Sequence, residues 1–105
     1  MRPTRVSQTG AGSTPLIVLN KQITASVACI VSGTVDYTVQ ITFDDVFASG
    51  FDPATATWFP HPAAALVGAT ANQRGVIDFP IMAVRTTVNS GAGSVEMIVV
   101  QDEKV

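Results

Sequence analysis

The sequence predicts an all-β domain: an antiparallel β-sandwich or jelly roll of about seven to eight short strands, with an extended N-terminal arm. Three observations point there. Apolar and polar residues alternate with a period of two through much of the chain, as they do in strands with one face on a core. Turn-forming Gly, Pro, Asn and Asp recur roughly every 8–12 residues. No stretch carries the 3.6-residue apolar period of an amphipathic helix.

The first 15 residues stand apart. Arg2 and Arg5 are their only charges, and Gln8 to Pro15 is small, polar and glycine-rich. Such a segment buries little and reads as an extended arm, either frayed or ordered on a neighbouring subunit. Residues 16–105 then form a single sandwich domain, in keeping with ~100–200 residues per domain. Leu16 to Leu19 is a short strand ended by Asn20-Lys21. Ile23 to Ser32 is rich in β-branched and small residues and ends at Gly33. In the next strand Val35, Tyr37, Val39, Ile41 and Phe43 alternate with Asp36, Thr38, Gln40, Thr42 and Asp44, which places the first set on the core. Two such strands meeting at Gly33 predict an antiparallel hairpin.

The alternation breaks over Asp44 to Pro53, a long turn. Asp52 to Thr57 suits one helical turn, with Asp52 as N-cap and Pro53 at the first helical position. Trp58-Phe59-Pro60-His61-Pro62 is extended or turning, because two prolines bar a regular helix or a central strand. Ala63 to Ala71 reads as a short strand and Asn72 to Gly75 as a turn. Val76 to Pro80 leads into Ile81 to Val88, where Met82, Val84, Thr86 and Val88 share a face. The loop Asn89 to Gly93 predicts a second hairpin into Ser94–Gln101. That last strand is apolar on both faces, Val95, Met97 and Val99 against Ile98 and Val100. Such a strand is sandwiched between layers or covered by a partner.

Composition narrows the function classes. Hydrophobic residues make up 47% of the chain, enough for a packed core. Charged residues are only 13%, against ~25% in an average soluble domain. A small domain exposes much surface, so Thr, Ser, Gln, Asn and Gly must cover it, or another protein must. The net charge of -2 provides no basic stripe for nucleic acid. The residues near Met1 lack the apolar run of a signal peptide, and no stretch suits a membrane-spanning helix. The expected location is the cytosol or a particle assembled there. The single cysteine, Cys29, lies in the apolar run Ala25 to Val31 and reads as a buried thiol behaving as a small hydrophobe.

Chemistry is sparse. Asp44, Asp45 and Asp52 could offer oxygen ligands to a cation, but their spacing is not that of a calcium loop, and turn residues bonding local backbone explain them. His61 alone makes no zinc site, and no Gly-x-Ser-x-Gly elbow marks a nucleophile. Gly10-Ala11-Gly12-Ser13 lacks the Gly-Lys-Ser/Thr of a phosphate loop. The expectation is a protein without catalytic residues, metal or cofactor. Phe47, Phe51, Trp58 and Phe59 do concentrate beside Pro53, Pro60 and Pro62. Core or loop packing accounts for such a group. So does a rigid interface anchor, since Trp and Phe present large area with few rotatable bonds. Arg2, Arg5, Phe47, Phe51, Trp58, Phe59 and His61 are therefore the candidate contacts with other subunits.

Two segments carry a resemblance. Tyr37-Thr38-Val39-Gln40, Phe43-Asp44-Asp45 and Phe51-Asp52-Pro53-Ala54-Thr55-Ala56-Thr57-Trp58-Phe59 form the first. Pro80 to Arg85 followed by Val88 to Val95 forms the second. Over residues 35–101 the chain resembles small all-β virion structural proteins of tailed bacteriophages, such as capsid decoration (cement) proteins. The resemblance implies a non-enzymatic subunit on the capsid exterior, made in the host cytoplasm and bound to the major capsid protein. It also implies self-association as a dimer or trimer, and no nucleic-acid or membrane partner. Low charge and the doubly apolar last strand suit such a surface, and Arg2 and Arg5 could lie on an acidic part of the shell. An accessory head or tail protein (a fibre base or adaptor) is the structural alternative. A carbohydrate-binding module, with Trp58 as sugar platform, is the alternative of a different class.

Overall fold

In a computed structural model, which describes residues 3–19 and 22–103, the chain forms two antiparallel sheets packed face to face. The strands are β1 (Thr4–Thr9), β2 (Gly12–Ser13), β3 (Ile17–Val18), β4 (Gln22–Ser32), β5 (Asp36–Thr42), β6 (Phe59–Pro60), β7 (Gln73–Ile77), β8 (Ala83–Ser90) and β9 (Ser94–Glu103). One sheet has the order β1-β9-β4-β7. The other has the order β2-β8-β5-β6, with β3 extending the β2 edge along β8.

The expected sandwich is present, but its connections differ from the sequence reading. The strands flanking Gly33 do not pair. β4 lies between β9 and β7 in one sheet, while β5 lies between β8 and β6 in the other. The loop 91–93 likewise carries the chain from β8 across to β9 in the opposite sheet. Both predicted hairpins are therefore arches. A glycine at positive φ permits a reversal of the chain but leaves open whether the next strand pairs beside the first or crosses the core.

The N-terminal segment is also not an arm. Residues 4–9 pair with residues 94–99, and Gly12 and Ser13 pair with Val88 and Thr87. The Gln8 side-chain amide donates to the carbonyls of Thr9, Gly10 and Ala11, shaping the crossing between β1 and β2. A polar, glycine-rich segment can thus hold an edge through its backbone, with Val6 half-buried on the core as its apolar contribution.

Three further readings change. Residues 63–71 form a short 3-10 turn, Ala64–Leu66, and a lone bridge from Ala69 to Tyr37 instead of a strand. Residues 73–75, expected as a turn, belong to β7. Phe43 lies outside the core: β5 ends at Thr42, whose carbonyl accepts from the Met82 amide, and Phe43 is 53% exposed. The capped turn after Asp52 is present, with Asp52 Oδ1 accepting from the Ala54 amide at 2.9 Å.

The core follows the alternation. Ala25, Val27 and Cys29 of β4, with Val95, Met97 and Val99 of β9, face Tyr37, Val39 and Ile41 of β5 and Val84 and Val88 of β8. Leu66 is fully buried. The polar groups inside are satisfied: the Tyr37 hydroxyl donates to the Ala71 carbonyl at 2.7 Å, and Thr86 Oγ1 donates to Met97 Sδ at 3.2 Å. Burial pushes the Cys29 thiol up to about 11 and the Tyr37 phenol well above its ordinary value. Cys29 is thus an inert part of the core.

Candidate interaction surface

The loop between β5 and β6, residues 43–58, carries the aromatic group, and its three aspartates build it. Asp44 Oδ2 accepts from the Thr57 amide at 2.8 Å, closing the base of the loop. Thr42 Oγ1 strengthens that closure, donating to the Thr57 carbonyl at 2.9 Å and accepting from the Asp44 amide at 3.1 Å. Asp45 Oδ1 accepts from the Phe47 amide at 3.0 Å, and the amides of Ala48 and Phe51 close successive turns on Asp45 and Ala48. Each carboxylate thus holds backbone N–H groups, the usual work of Asp in turns. Among the described residues no group of three His, Cys, Asp or Glu side chains is arranged to hold a metal ion.

This hydrogen-bonded loop presents Phe47 at 67% exposure. Phe59, from the two-residue edge strand β6, is 47% exposed and packs edge-on against Phe43, with ring centroids 5.8 Å apart. Phe43 also borders a small apolar concavity with Pro80, Ile81 and Met82. The local alternation hid Phe43 by assigning it to the core. The signal available was the Asp44-Asp45 pair directly after it, where the strand must already have ended.

Trp58 sits elsewhere, on the outer face of the β2-β8-β5-β6 sheet. The guanidinium of Arg85 lies 4.1 Å from its ring centroid, and its indole N–H donates to the Pro53 carbonyl at 2.9 Å. Arg85 is fixed in turn by Gln40 Oε1, which accepts from its Nε at 2.9 Å and also from Thr87. One ring face and the polar handle of the only tryptophan are thus already engaged, which leaves less of it for a sugar. Phe51 is half-buried in the loop.

His61 is only 4% exposed. Its Nδ1 accepts from the Ala63 amide at 3.0 Å, which leaves the proton on Nε2 to donate to the Val76 carbonyl at 3.0 Å. Its own amide donates to the Val39 carbonyl. His61 therefore bridges β5 of one sheet to β7 of the other, where the sequence reading had grouped it with surface contacts. Proline on either side and aromatics before it resembled an exposed loop; the neighbouring strands that enclose the ring are distant in sequence. Arg5 is exposed on β1 and pairs with Glu96 at 3.1 Å, while Arg2 lies outside the described residues.

No helix among the described residues is long and apolar enough to cross a membrane. No protein-family model, curated protein or solved structure matches the chain.

Proposed function

We propose that the protein is a non-enzymatic virion structural protein of a tailed bacteriophage, a capsid decoration protein that binds the outside of the shell and bridges capsid subunits. The observation that carries this reading is the exposure of Phe43, Phe47 and Phe59 on a loop and edge strand held by backbone hydrogen bonds. A large apolar side chain fixed before binding loses little conformational entropy on docking, so its burial goes into affinity. A low charge content fits a surface that meets other subunits without a costly desolvation of ions. The resemblance over residues 35–101 supplies the particle.

Cryo-electron microscopy of the particle from the encoding phage tests it. The expected result is density for the sandwich repeated over the icosahedral shell, with the Phe43, Phe47 and Phe59 end against capsid subunits. Copies confined to neck, tail or fibres, or none in the particle, overturn the decoration reading. A Phe47→Ser variant is expected to fold normally and to decorate poorly.

A further inference from the structure

We propose that the outer face of the β1-β9-β4-β7 sheet is the contact face of a two-fold homodimer. The strand register lays out that face. One row across β7, β4, β9 and β1 reads Arg74, Ala28, Ile98, Arg5. The row on one side places Ile30 beside Glu96, and the row on the other places Val76, Ser26 and Val100 in line. Ile30 is 44% and Val76 50% exposed, while Ala28, Ile98 and Val100 are half-buried. Ala28 and Arg74 border two adjoining shallow concavities, of about 480 and 340 Å³. The opposite outer face, by contrast, is closed by its own polar network of Gln40, Arg85, Thr87 and Ser13.

The charges at the rim select the occupant. Arg74 is exposed and has no ion-pair or hydrogen-bond partner among the described residues. Glu96, on the other side of β4, uses Oε1 for Arg5 and leaves Oε2 without a partner among the described residues. A two-fold axis lying in the contact plane and crossing β4 between Ala28 and Ile30 exchanges these two positions. Each Arg74 then reaches the Glu96 of the other copy, with the apolar rows buried between them. The face is thus complementary to itself, as an isologous contact requires. Its size also fits. The strands β1, β4, β7 and β9 have 6, 11, 5 and 10 residues. At ~3.4 Å rise and ~4.8 Å spacing they cover roughly 520 Å² per copy, a two-sided total near the ~1,000 Å² that a specific interface must reach. The same contact explains why β9 is apolar on both faces.

This inference stands apart from the virion reading and is tested on the purified protein alone. Sedimentation equilibrium from about 5 to 500 μM is expected to show a monomer–dimer equilibrium, weakened at least about tenfold by Arg74→Glu. Far-ultraviolet circular dichroism and melting temperature should be unchanged in that variant, because the exposed Arg74 side chain makes no hydrogen bond or ion pair with the described residues of its own protomer. Ala28→Cys, beside the axis, should form disulfide-linked dimers under mild oxidation far faster than Ser49→Cys on the exposed loop. A monomer throughout, a trimer, a dimer indifferent to Arg74→Glu, or equal cross-linking at positions 28 and 49 would each overturn the proposal. The first of these outcomes would leave the face to a different protein.

Discussion

The amide of Gly93 donates to the carbonyl of Thr34 at 2.9 Å, and this bond ties the β8–β9 arch to the β4–β5 arch. The carbonyl of Gly93 in turn accepts from the Gly10 amide, which brings the β1–β2 crossing to the same end of the sandwich. Three chain reversals between the sheets therefore stack backbone on backbone, and their spacing excludes side chains. A Cβ added at Gly91 would overlap the Thr34 carbonyl oxygen, and one at Gly93 would overlap the Ser32 carbonyl and lie 2.7 Å from the Thr34 nitrogen.

Gly91→Ala and Gly93→Ala should each cost about 3 kcal/mol, because backbone atoms cannot step aside as a flexible side chain would. For a domain of this size that lowers the melting temperature by roughly 15 °C. Gly50→Ala is the control. Like Gly91 it has positive φ, but open space surrounds it, so it should lose only about 1 kcal/mol. Chemical denaturation of the three variants checks this; equal losses at all three positions would mean that the arches are not tightly packed.

His61→Ala should destabilise by about 2–4 kcal/mol, since it opens a cavity and strands the Ala63 amide and the Val76 carbonyl. His61→Phe fills the space without restoring either bond and should remain at least about 1 kcal/mol below the parent. Urea melts distinguish the two variants. A wild-type midpoint for either would remove the bridging role.

Stability should fall as pH rises from 9 towards 11. The folded Cys29 thiol titrates near 11, against 9.0 for an unperturbed one, so in this window the unfolded chain sheds a proton that the folded chain keeps. Fewer bound protons in the unfolded state mean a negative slope of stability against pH, approaching roughly 2–3 kcal/mol by pH 11. The stabilisation is fully present below pH 9. Tyr37, also displaced upward by burial, extends the loss to higher pH. Cys29→Ala should be less stable at neutral pH and show a shallower alkaline slope than the parent, measured by melts at fixed ionic strength.

Arg85→Ala should release Trp58. The cation over the ring contributes about 1 kcal/mol at a partly buried site. Trp58 is the only tryptophan, so indole fluorescence reports on this one residue. Acrylamide should quench it more efficiently in Arg85→Ala than in the parent. Arg85→Lys keeps the charge but loses the flat guanidinium and its Gln40 bond, and should fall between them. Identical quenching in all three would place the indole outside the influence of Arg85.

The alternation from Val35 to Ile41 made the core face of β5 legible, and the same pattern located Val95, Met97 and Val99. It failed at Phe43 because period-two reasoning does not indicate where a ladder ends. That end depends on Met82 bonding to Thr42, across a separation of forty residues. The aspartate cluster was legible as turn chemistry, and the aromatic concentration was legible as a group. Its division into an exposed Phe47, a Phe59 packed on Phe43, a half-buried Phe51 and an Arg85-covered Trp58 was not, since it depends on contacts such as β8 lying beside β5.

Local sequence was enough to show that this chain makes strands, which residues of most strands face inward, and that the chain reverses near Gly33, over residues 43–58 and over residues 89–93, though not that residues 73–75 are strand. These are local properties, set by the pleat and by the freedom of glycine and the stiffness of proline. Long-range packing settled which strands pair, that residues 4–9 are an edge strand and not an arm, that the turns at Gly33 and Gly91 cross between sheets, and that His61 is buried. Each of these rests on contacts between distant segments, as when Arg5 meets Ile98. A glycine announces a turn, but the hydrogen-bonding edge that the following strand finds there belongs to another part of the chain.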